Sequence, residues 1–153
     1  MLGYVDNPEE THDTLRRHGD GRIWLHTGDL AYANDEGMVW VVDRKKDMIN
    51  RGGEKVWCSA LEEVLCELDG VSEACVAGMP DKLYGEVPVA AIVRAAGSHI
   101  SAEDIQAELA SRIAHFKIPV AFVFVDKIPQ TRGDKPNRSA VRDAVLKTLG
   151  YQS

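Results

Sequence analysis

The sequence predicts an α+β fold, a small domain with a short, largely antiparallel sheet flanked by about three helices and preceded by a β-hairpin. Two patterns indicate this fold class. Three segments place apolar residues at helical spacing, and each follows a polar capping residue. Between them lie short apolar runs typical of strands, VSEACVAGM, EVPVAAIV and VAFVFVD. The predicted order in this part of the chain is β-α-β-β-α-β-α, which favours helices packed on one small sheet.

The start of the chain predicts a short helix and then the hairpin. The helix follows the Asn7-Pro8 turn within NPEETHDTLRRHGDG and ends in a Gly-rich loop. RIWLHTGDLAYA and GMVWVVD are the expected strands, and NDEG, residues 34–37, has the turn residues that join them.

A charged joint, DRKKDMINRGGEKV, follows the hairpin at residues 43–56. It places three consecutive cations, Arg44, Lys45 and Lys46, then Asp47 and a glycine pair between two ordered elements. One interpretation is a flexible joint that handles an anion, and the other is a solvated surface turn. Composition alone does not decide between them.

The helices beyond the joint have clear start signals. Ser59 with Glu62 three residues later matches a capping box, and a second helix is expected to begin at Ser101, with Asp104 at the N3 position. The last helix is expected to begin near Asn137. Three apolar stripes follow these starts: Leu61, Val64, Leu65 and Leu68; Ile105, Leu109 and Ile113; Val141, Val145 and Leu149.

One strand contains a proline, Pro88 in EVPVAAIV. Because proline has no N–H to donate to a ladder, it is expected on an edge strand or at a strand start.

Composition limits the function. The chain has 153 residues, enough for one ordinary domain, and its 18 Lys and Arg against 24 Asp and Glu give a net charge of −6. This balance argues against broad nucleic-acid binding, which needs a basic surface. No apolar run approaches the roughly 20 residues that span a bilayer. Cys58, Cys66 and Cys75 lack CxxC spacing, and the histidines lack HxxxH pairing, so we predict reduced cysteines, no metal site and a cytoplasmic location.

Asp29 is the first candidate site residue. It follows Thr27-Gly28 between the apolar Leu25 and Leu30 in WLHTGDL. A carboxylate at a strand end beside a glycine can accept hydrogen bonds from the two hydroxyls of a ribose. The alternative is an Asp in a turn or bulge, with Gly28 at the kink.

Two further segments carry candidate residues. Arg44 directly follows MVWVVD, and its fork of donors suits phosphate or ribose oxygens, while Gly52-Gly53 permits close backbone approach to a ligand. Lys135 lies in the loop IPQTRGDKPNR, where it could extend a charge toward a phosphate or carboxylate. A solvated face and an exposed loop lysine are the simpler alternatives.

Taken together, several segments resemble the adenylate-forming enzymes, a family that includes acyl- and aryl-CoA synthetases, peptide-synthetase adenylation domains and firefly luciferase. MLGYVDNPEET, WLHTGDLA, VVDRKKDMINRGGEKV, VSEACVAGMPDKLYGEVPVAAIV, FKIPVAFVFVDKIPQT and DKPNR occur in the family's order. The resemblance implies the C-terminal piece of a longer enzyme. Residues 1–45 would be the end of the large N-terminal domain up to a hinge, with the hairpin as its remnant, and residues 46–153 the C-terminal lid.

The resemblance also implies roles for the candidate residues. Asp29 and Arg44 would bind the ribose and phosphate region of ATP or the adenylate, and Lys46 would be the hinge. Lys135 would be the catalytic lysine of adenylation. A loop for thioester formation would consist of Arg51, Gly52, Gly53 and Glu54.

The implied substrates are a small-molecule carboxylic acid, ATP and CoA, with Mg²⁺ bound mainly by the N-terminal portion. The isolated 153 residues are expected to be inactive. NRGGEKV is more similar to CoA ligases than to peptide-synthetase domains, whose acceptor is a carrier-protein thiol. A peptide-synthetase fragment and a non-catalytic binding module remain alternative interpretations.

The sequence departs from the family in two places. Asp134 stands where a glycine usually precedes the lysine, and its carboxylate could pair with Lys135. Cys58-Ser59 replaces a usual proline, and Ser59 is expected to cap the helix instead.

Overall fold

The computed structural model describes residues 1–150, so the last three residues of the expected lid lie outside the description. The chain divides into two compact units, one of residues 1–46 and one that begins at residue 47. The boundary falls within a short 3-10 helix, Lys45–Asp47.

The first unit contains one helix and two separate two-stranded sheets. Helix α1 covers Pro8–Thr14, and strands β1, Leu15–Arg17, and β2, Ile23–Leu25, pair antiparallel. Strands β3, Asp29–Ala33, and β4, Val39–Arg44, form the second antiparallel pair.

This arrangement corrects the prediction of one long strand through RIWLHTGDLAYA. Gly28 adopts a φ of +77°, which ends the extended run between β2 and β3. The predicted helix was also too long, because the residues after Thr14 form β1 instead. The expected hairpin is therefore the β3–β4 pair alone.

The second unit is an α+β structure with three helices, as predicted. Its strands are β5 (Met48–Arg51), β6 (Glu54–Trp57), β7 (Val71–Asp81), β8 (Gly85–Arg94) and β9 (Ala121–Phe124), and its helices are α2 (Cys58–Cys66), α3 (Ala102–Arg112) and α4 (Arg138–Thr148). The strand order is β6-β5-β8-β7, and β9 also pairs with β8. Every pairing is antiparallel except β8–β9.

The sheet separates two apolar cores. Alternate residues of β7 and β8, such as Val76 and Ile92, pack with Leu65 of α2 and Ile105 of α3. The intervening residues, such as Val89, pack on the other side with α4. Successive strand residues point to opposite faces, so a sheet with helices on both faces needs apolar residues at nearly every position. This explains the near-continuous apolar runs of β7 and β8.

The start of α2 differs from the prediction. Helix α2 begins at Cys58 with Trp57 as its N-cap residue, and Trp57 makes no side-chain capping bond. Ser59 therefore lies inside the first turn and not at the cap, so the predicted capping box is wrong. The Glu62 side chain accepts the Val76 N–H at 2.7 Å instead. A contact with strand β7 thus takes the place of the local capping bond that the sequence predicted for Glu62.

The other two helix starts agree with the sequence. Ser101 and Asp104 form the full capping box of α3, with each side chain accepting the other's backbone N–H. Asn137 caps α4 by accepting the Ala140 N–H.

The expectation for Pro88 is wrong. Pro88 is fully buried inside β8, where it pairs with Gly78 of β7. Its carbonyl accepts the Val120 N–H at 2.9 Å, on the side where β9 begins to pair one residue later at Val89. In extended backbone the N and C=O of one residue point to the same side. The proline nitrogen therefore faces the position just before β9, where no ladder bond is required.

None of the described helices is long and apolar enough to cross a membrane.

Candidate functional site

Asp29 and Arg44, two of the predicted nucleotide-binding residues, are neighbours in the first unit. They are register partners across β3 and β4, and Arg44 Nε lies 3.2 Å from Asp29 Oδ1. The Gly28 carbonyl accepts the Lys45 N–H at 2.8 Å, which closes the end of the hairpin. The Asp29 side chain is 31% exposed and that of Arg44 48%. The pair can therefore present a carboxylate and a guanidinium together to a polar ligand.

The predicted hinge residue, Lys46, is exposed in the 3-10 helix Lys45–Asp47. Strands, not a long helix, lie on both sides of this single turn, namely β4 and β5. The two compact units meet in sequence directly after Lys46. A single 3-10 turn has few internal hydrogen bonds to lose when its backbone angles change.

The segment Arg51–Glu54 forms the tight turn between β5 and β6, where a flexible joint was one expectation. Gly52 and Gly53 have φ values of +61° and +98°, which residues with a side chain rarely adopt. The Gly52 N–H donates to the Tyr84 carbonyl at 2.8 Å, and the Gly53 N–H donates to Asn50 Oδ1 at 3.0 Å. The glycine pair is thus required by a hydrogen-bonded turn.

Arg51 anchors this turn to the rest of the unit. Its Nη1 donates to the Phe116 carbonyl at 2.8 Å, and its guanidinium lies 5.1 Å from the centre of the Tyr84 ring. The exposed part of the turn consists of Gly52, Gly53 and Glu54. A ligand approaching this turn would therefore meet backbone and Glu54 first.

Lys135 lies on an exposed loop between β9 and α4. Its carbonyl accepts the Thr131 N–H at 2.8 Å, and the Asn137 N–H donates to the Pro129 carbonyl at 2.8 Å. These bonds close the base of the loop and leave the lysine side chain outside. No ion pair joins Lys135 to a carboxylate in the part of the chain that the structure describes, Asp134 included.

Asp134 has a left-handed backbone conformation, which glycine also adopts readily. Its φ is +56°, and its N–H donates to the Thr131 carbonyl at 3.2 Å. Asp tolerates this left-handed region better than most residues. The loop therefore accommodates an Asp at this position.

Sequence reasoning missed a residue close to Lys135, the partly buried Arg138. Its guanidinium forms a two-bond pair with Glu62 and donates to the Val76 carbonyl at 2.6 Å. Its Nε also lies 3.7 Å from Asp47 Oδ2. Burial by itself would lower the pKa of Arg138, but the hydrogen bonds and charge of Glu62 outweigh it and raise that pKa. The group stays charged.

A weak signal for this cluster exists in the sequence. Glu62 follows Leu61 and precedes Leu65 by three residues, beside the apolar stripe of α2. An acid in that position needs a partner when the stripe is buried. Nothing local indicates which of the 18 Lys and Arg residues provides it.

Cys75 adjoins the same cluster. It is buried, and burial together with the negative charge of Glu62 raises the pKa of its thiol to about 12. It is therefore a protonated core residue at neutral pH. The three cysteines form no disulfide.

Apart from the predicted hinge residue Lys46, the predicted site residues form three groups. The Asp29–Arg44 pair belongs to the first unit, and the Arg51–Glu54 turn and the Lys135 loop belong to the second. Among the described residues, no hydrogen bond or ion pair joins the turn to the Lys135 loop.

Comparison with known proteins identifies the class. Residues 60–135 match the family model of the AMP-binding enzyme C-terminal domain. A substituted propanoyl:CoA ligase of Rhodococcus jostii is 40% identical over 94% of this chain and 27% of its own length. The chain therefore spans about a quarter of that relative.

Two solved structures have the same fold. ATP-bound MatB from Rhodopseudomonas palustris has a TM-score of 0.82 and 31% identity, over 98% of this chain and 29% of that one. The o-succinylbenzoate CoA synthetase MenE of Bacillus subtilis, in complex with an acyl-adenylate intermediate, has a TM-score of 0.79 and 34% identity, over 94% of this chain and 28% of that one. The chain belongs to the adenylate-forming, AMP-binding enzyme family, of which it is a C-terminal portion.

Proposed function

We propose that this chain is the C-terminal part of an ATP-dependent acyl-CoA synthetase in which Lys135 stabilises the charge that develops during acyl-adenylate formation. The observation that carries the proposal is the Lys135 loop. An exposed ammonium group projects from a short loop whose base is closed by two backbone hydrogen bonds, and the described residues give it no ion-pair partner. The similarity to named CoA ligases supports the reaction class.

In the first half-reaction, a carboxylate oxygen attacks the α-phosphorus of ATP and pyrophosphate leaves. Negative charge crowds this centre, so a positioned ammonium lowers the barrier by electrostatic stabilisation. Asp29 would accept hydrogen bonds from the ribose hydroxyls, and Arg44 would donate to ribose or phosphate oxygens. Mg²⁺ accompanies ATP and would be held mainly by the upstream part of the parent enzyme.

In the second half-reaction, the thiol of CoA attacks the acyl carbonyl and AMP leaves. Lys135 has no part in this step, whereas the thiol needs a path to the adenylate. The Arg51–Glu54 turn would line that path, because its glycines allow close backbone approach. Rotation about Lys46 would exchange the Lys135 loop for this turn. The unit boundary directly after Lys46 supports that pivot.

The test uses the full-length parent enzyme with Lys135→Ala. Adenylation is measured by pyrophosphate exchange, and thioester formation is measured from supplied acyl-adenylate and CoA. We expect adenylation to fall by about 100-fold or more, the loss typical of one transition-state contact. Thioester formation should stay near the wild-type rate.

Lys127→Ala is the matched control, because Lys127 is another exposed lysine between β9 and α4. It should leave both steps unchanged. Equal loss of both half-reactions in Lys135→Ala would refute the step-specific role of the lysine.

A further inference from the structure

Arg138 connects three separate parts of the second unit through one guanidinium. Nη2 donates to Glu62 Oε2 of α2 at 3.2 Å, Nη1 donates to the Val76 carbonyl of β7 at 2.6 Å, and Nε lies 3.7 Å from Asp47 Oδ2. Glu62 accepts the Val76 N–H in turn, so the contacts close a ring. Only 22% of the Arg138 side chain is exposed. A partly buried charge held by two hydrogen-bond partners and one further ion pair has a well-defined position.

The position of Arg138 also sets the position of the Lys135 loop. Arg138 is the first residue of α4, three residues after Lys135. Between them, the Asn137 N–H donates to the Pro129 carbonyl and closes the loop. Only Pro136 and Asn137 separate Lys135 from the start of α4. A shift at the start of α4 therefore moves Lys135 as well.

The Asp47 contact connects the same arginine to the proposed pivot. Asp47 directly follows Lys46 and is the first residue of the second unit. Its side chain is 24% exposed, so solvent screens the pair only in part. The ion pair between Asp47 and Arg138 thus joins the residue next to the proposed pivot to the base of the Lys135 loop.

We propose that Arg138 is a positioning residue that fixes the Lys135 loop relative to Asp47. The ammonium group of Lys135 then moves together with Asp47 when the second unit rotates about Lys46. The inference rests on the proposed function, because it assumes that Lys135 acts in adenylation. A lysine is not an equivalent replacement for Arg138, because it lacks the planar fork that bonds Glu62 and Val76 in fixed directions.

The experiment compares Asp47→Asn and Arg138→Lys in the full-length enzyme. Each should lower pyrophosphate exchange by roughly 10- to 100-fold, since small displacements of a catalytic group have effects of that size. Thioester formation from supplied acyl-adenylate should stay near wild type. Arg112→Lys is the control, because Arg112 forms an exposed ion pair with Glu108 at 3.2 Å on α3. It should change neither step.

A double-mutant cycle separates positioning from general stability. If Arg138 and Asp47 act through Lys135, Asp47→Asn should cause no further loss of adenylation in the Lys135→Ala background. Hydrogen exchange should also become faster at the Thr131, Asp134 and Asn137 amides in Asp47→Asn. The Arg112→Lys control should leave those amides unchanged.

The possible failures are distinguishable. If Lys135→Ala impairs both half-reactions equally, the proposed function fails and this inference fails with it. If Lys135→Ala acts on adenylation alone, the proposed function stands. A loss in Asp47→Asn that is shared by both half-reactions, or that persists in the Lys135→Ala background, then overturns only the positioning role. If Arg138→Lys does not fold, Asp47→Asn decides the matter, because it keeps the Glu62 and Val76 contacts.

Discussion

Asp29 and Arg44 face each other as partners in the β3–β4 register, with Arg44 Nε 3.2 Å from Asp29 Oδ1. They are 15 positions apart in the sequence, and the antiparallel pairing brings the two predicted nucleotide contacts to one end of a hairpin. The ion pair is exposed, so its contribution to stability should be small. We therefore expect substitution of Asp29 to affect ATP binding more than stability.

Asp29→Asn should therefore raise the KM for ATP in the full-length enzyme with little change in thermal stability. The amide keeps the shape but replaces one acceptor oxygen with a donor, which cannot accept a ribose hydroxyl. Steady-state kinetics with varied ATP measures the effect. Asp35→Asn, in the turn of the same hairpin, should behave as wild type. A KM unchanged by Asp29→Asn would remove Asp29 from the ribose site.

Lys46→Pro tests the pivot. Proline fixes φ near −65° and disfavours helical backbone at the preceding residue, so it should restrict rotation at the 3-10 turn. One half-reaction should fall more than the other when the two are assayed separately. Lys46→Ala removes the side chain but leaves the backbone free, and it should retain both activities. Parallel losses in Lys46→Pro would argue against a pivot at this residue.

Gly53→Ala tests the thioester turn. Gly53 has a φ of +98° with open space around it, so an added methyl group strains the backbone without a clash. Thioester formation should slow more than adenylation. Gly97→Ala introduces the same kind of strain at a φ of +77°, also in open space but in another turn of the second unit. If both variants affect the two steps alike, the effect is one of stability and not of the turn.

Asp134 offers a test of loop shape against charge. At a φ of +56° both glycine and Asn are tolerated, whereas a β-branched side chain is not. Asp134→Gly and Asp134→Asn should retain pyrophosphate exchange, and Asp134→Val should lower it. A loss in Asp134→Asn as large as in Asp134→Val would show that the carboxylate, not the backbone, is what matters.

The α3 capping box predicts a pH dependence of stability. The backbone N–H and hydroxyl of Ser101 bond to the Asp104 carboxylate and lower its pKa. Because the pKa of Asp104 is lower in the folded than in the unfolded state, its carboxylate stabilises the fold fully above the unfolded pKa of about 4. This stabilisation is lost as the pH falls through the folded pKa. Asp104→Asn should reduce the Tm at pH 7, and the difference from wild type should shrink below about pH 4.

Glu103→Gln is the control for that measurement. Glu103 lies in the same first turn but is not the capping residue. Its Tm difference from wild type should be smaller at pH 7. A Tm difference for Asp104→Asn that does not vary with pH would exclude the carboxylate as its source.

The sequence predicted the local parts of the fold well. The caps at Ser101 and Asn137 and the apolar runs of β7 and β8 depend on neighbours within a few residues, so their patterns are visible in one segment. The β3–β4 turn was predicted for the same reason. The predicted Ser59 cap was wrong because helix α2 begins at Cys58 with Trp57 as its N-cap residue, and Glu62 accepts the Val76 N–H instead.

What the sequence by itself determined is the α+β class, the β3–β4 turn, the starts of α3 and α4, and the apolar runs of the sheet strands. It also singled out Asp29, Arg44 and Lys135 as candidate site residues. Only the tertiary structure decided that Pro88 lies inside the strand with three neighbours and that Glu62 pairs with Arg138, 76 positions away. The physical reason is that periodicity and capping are properties of adjacent residues. The choice of a counterion, or of the strand that borders a proline, depends on which distant segments pack together.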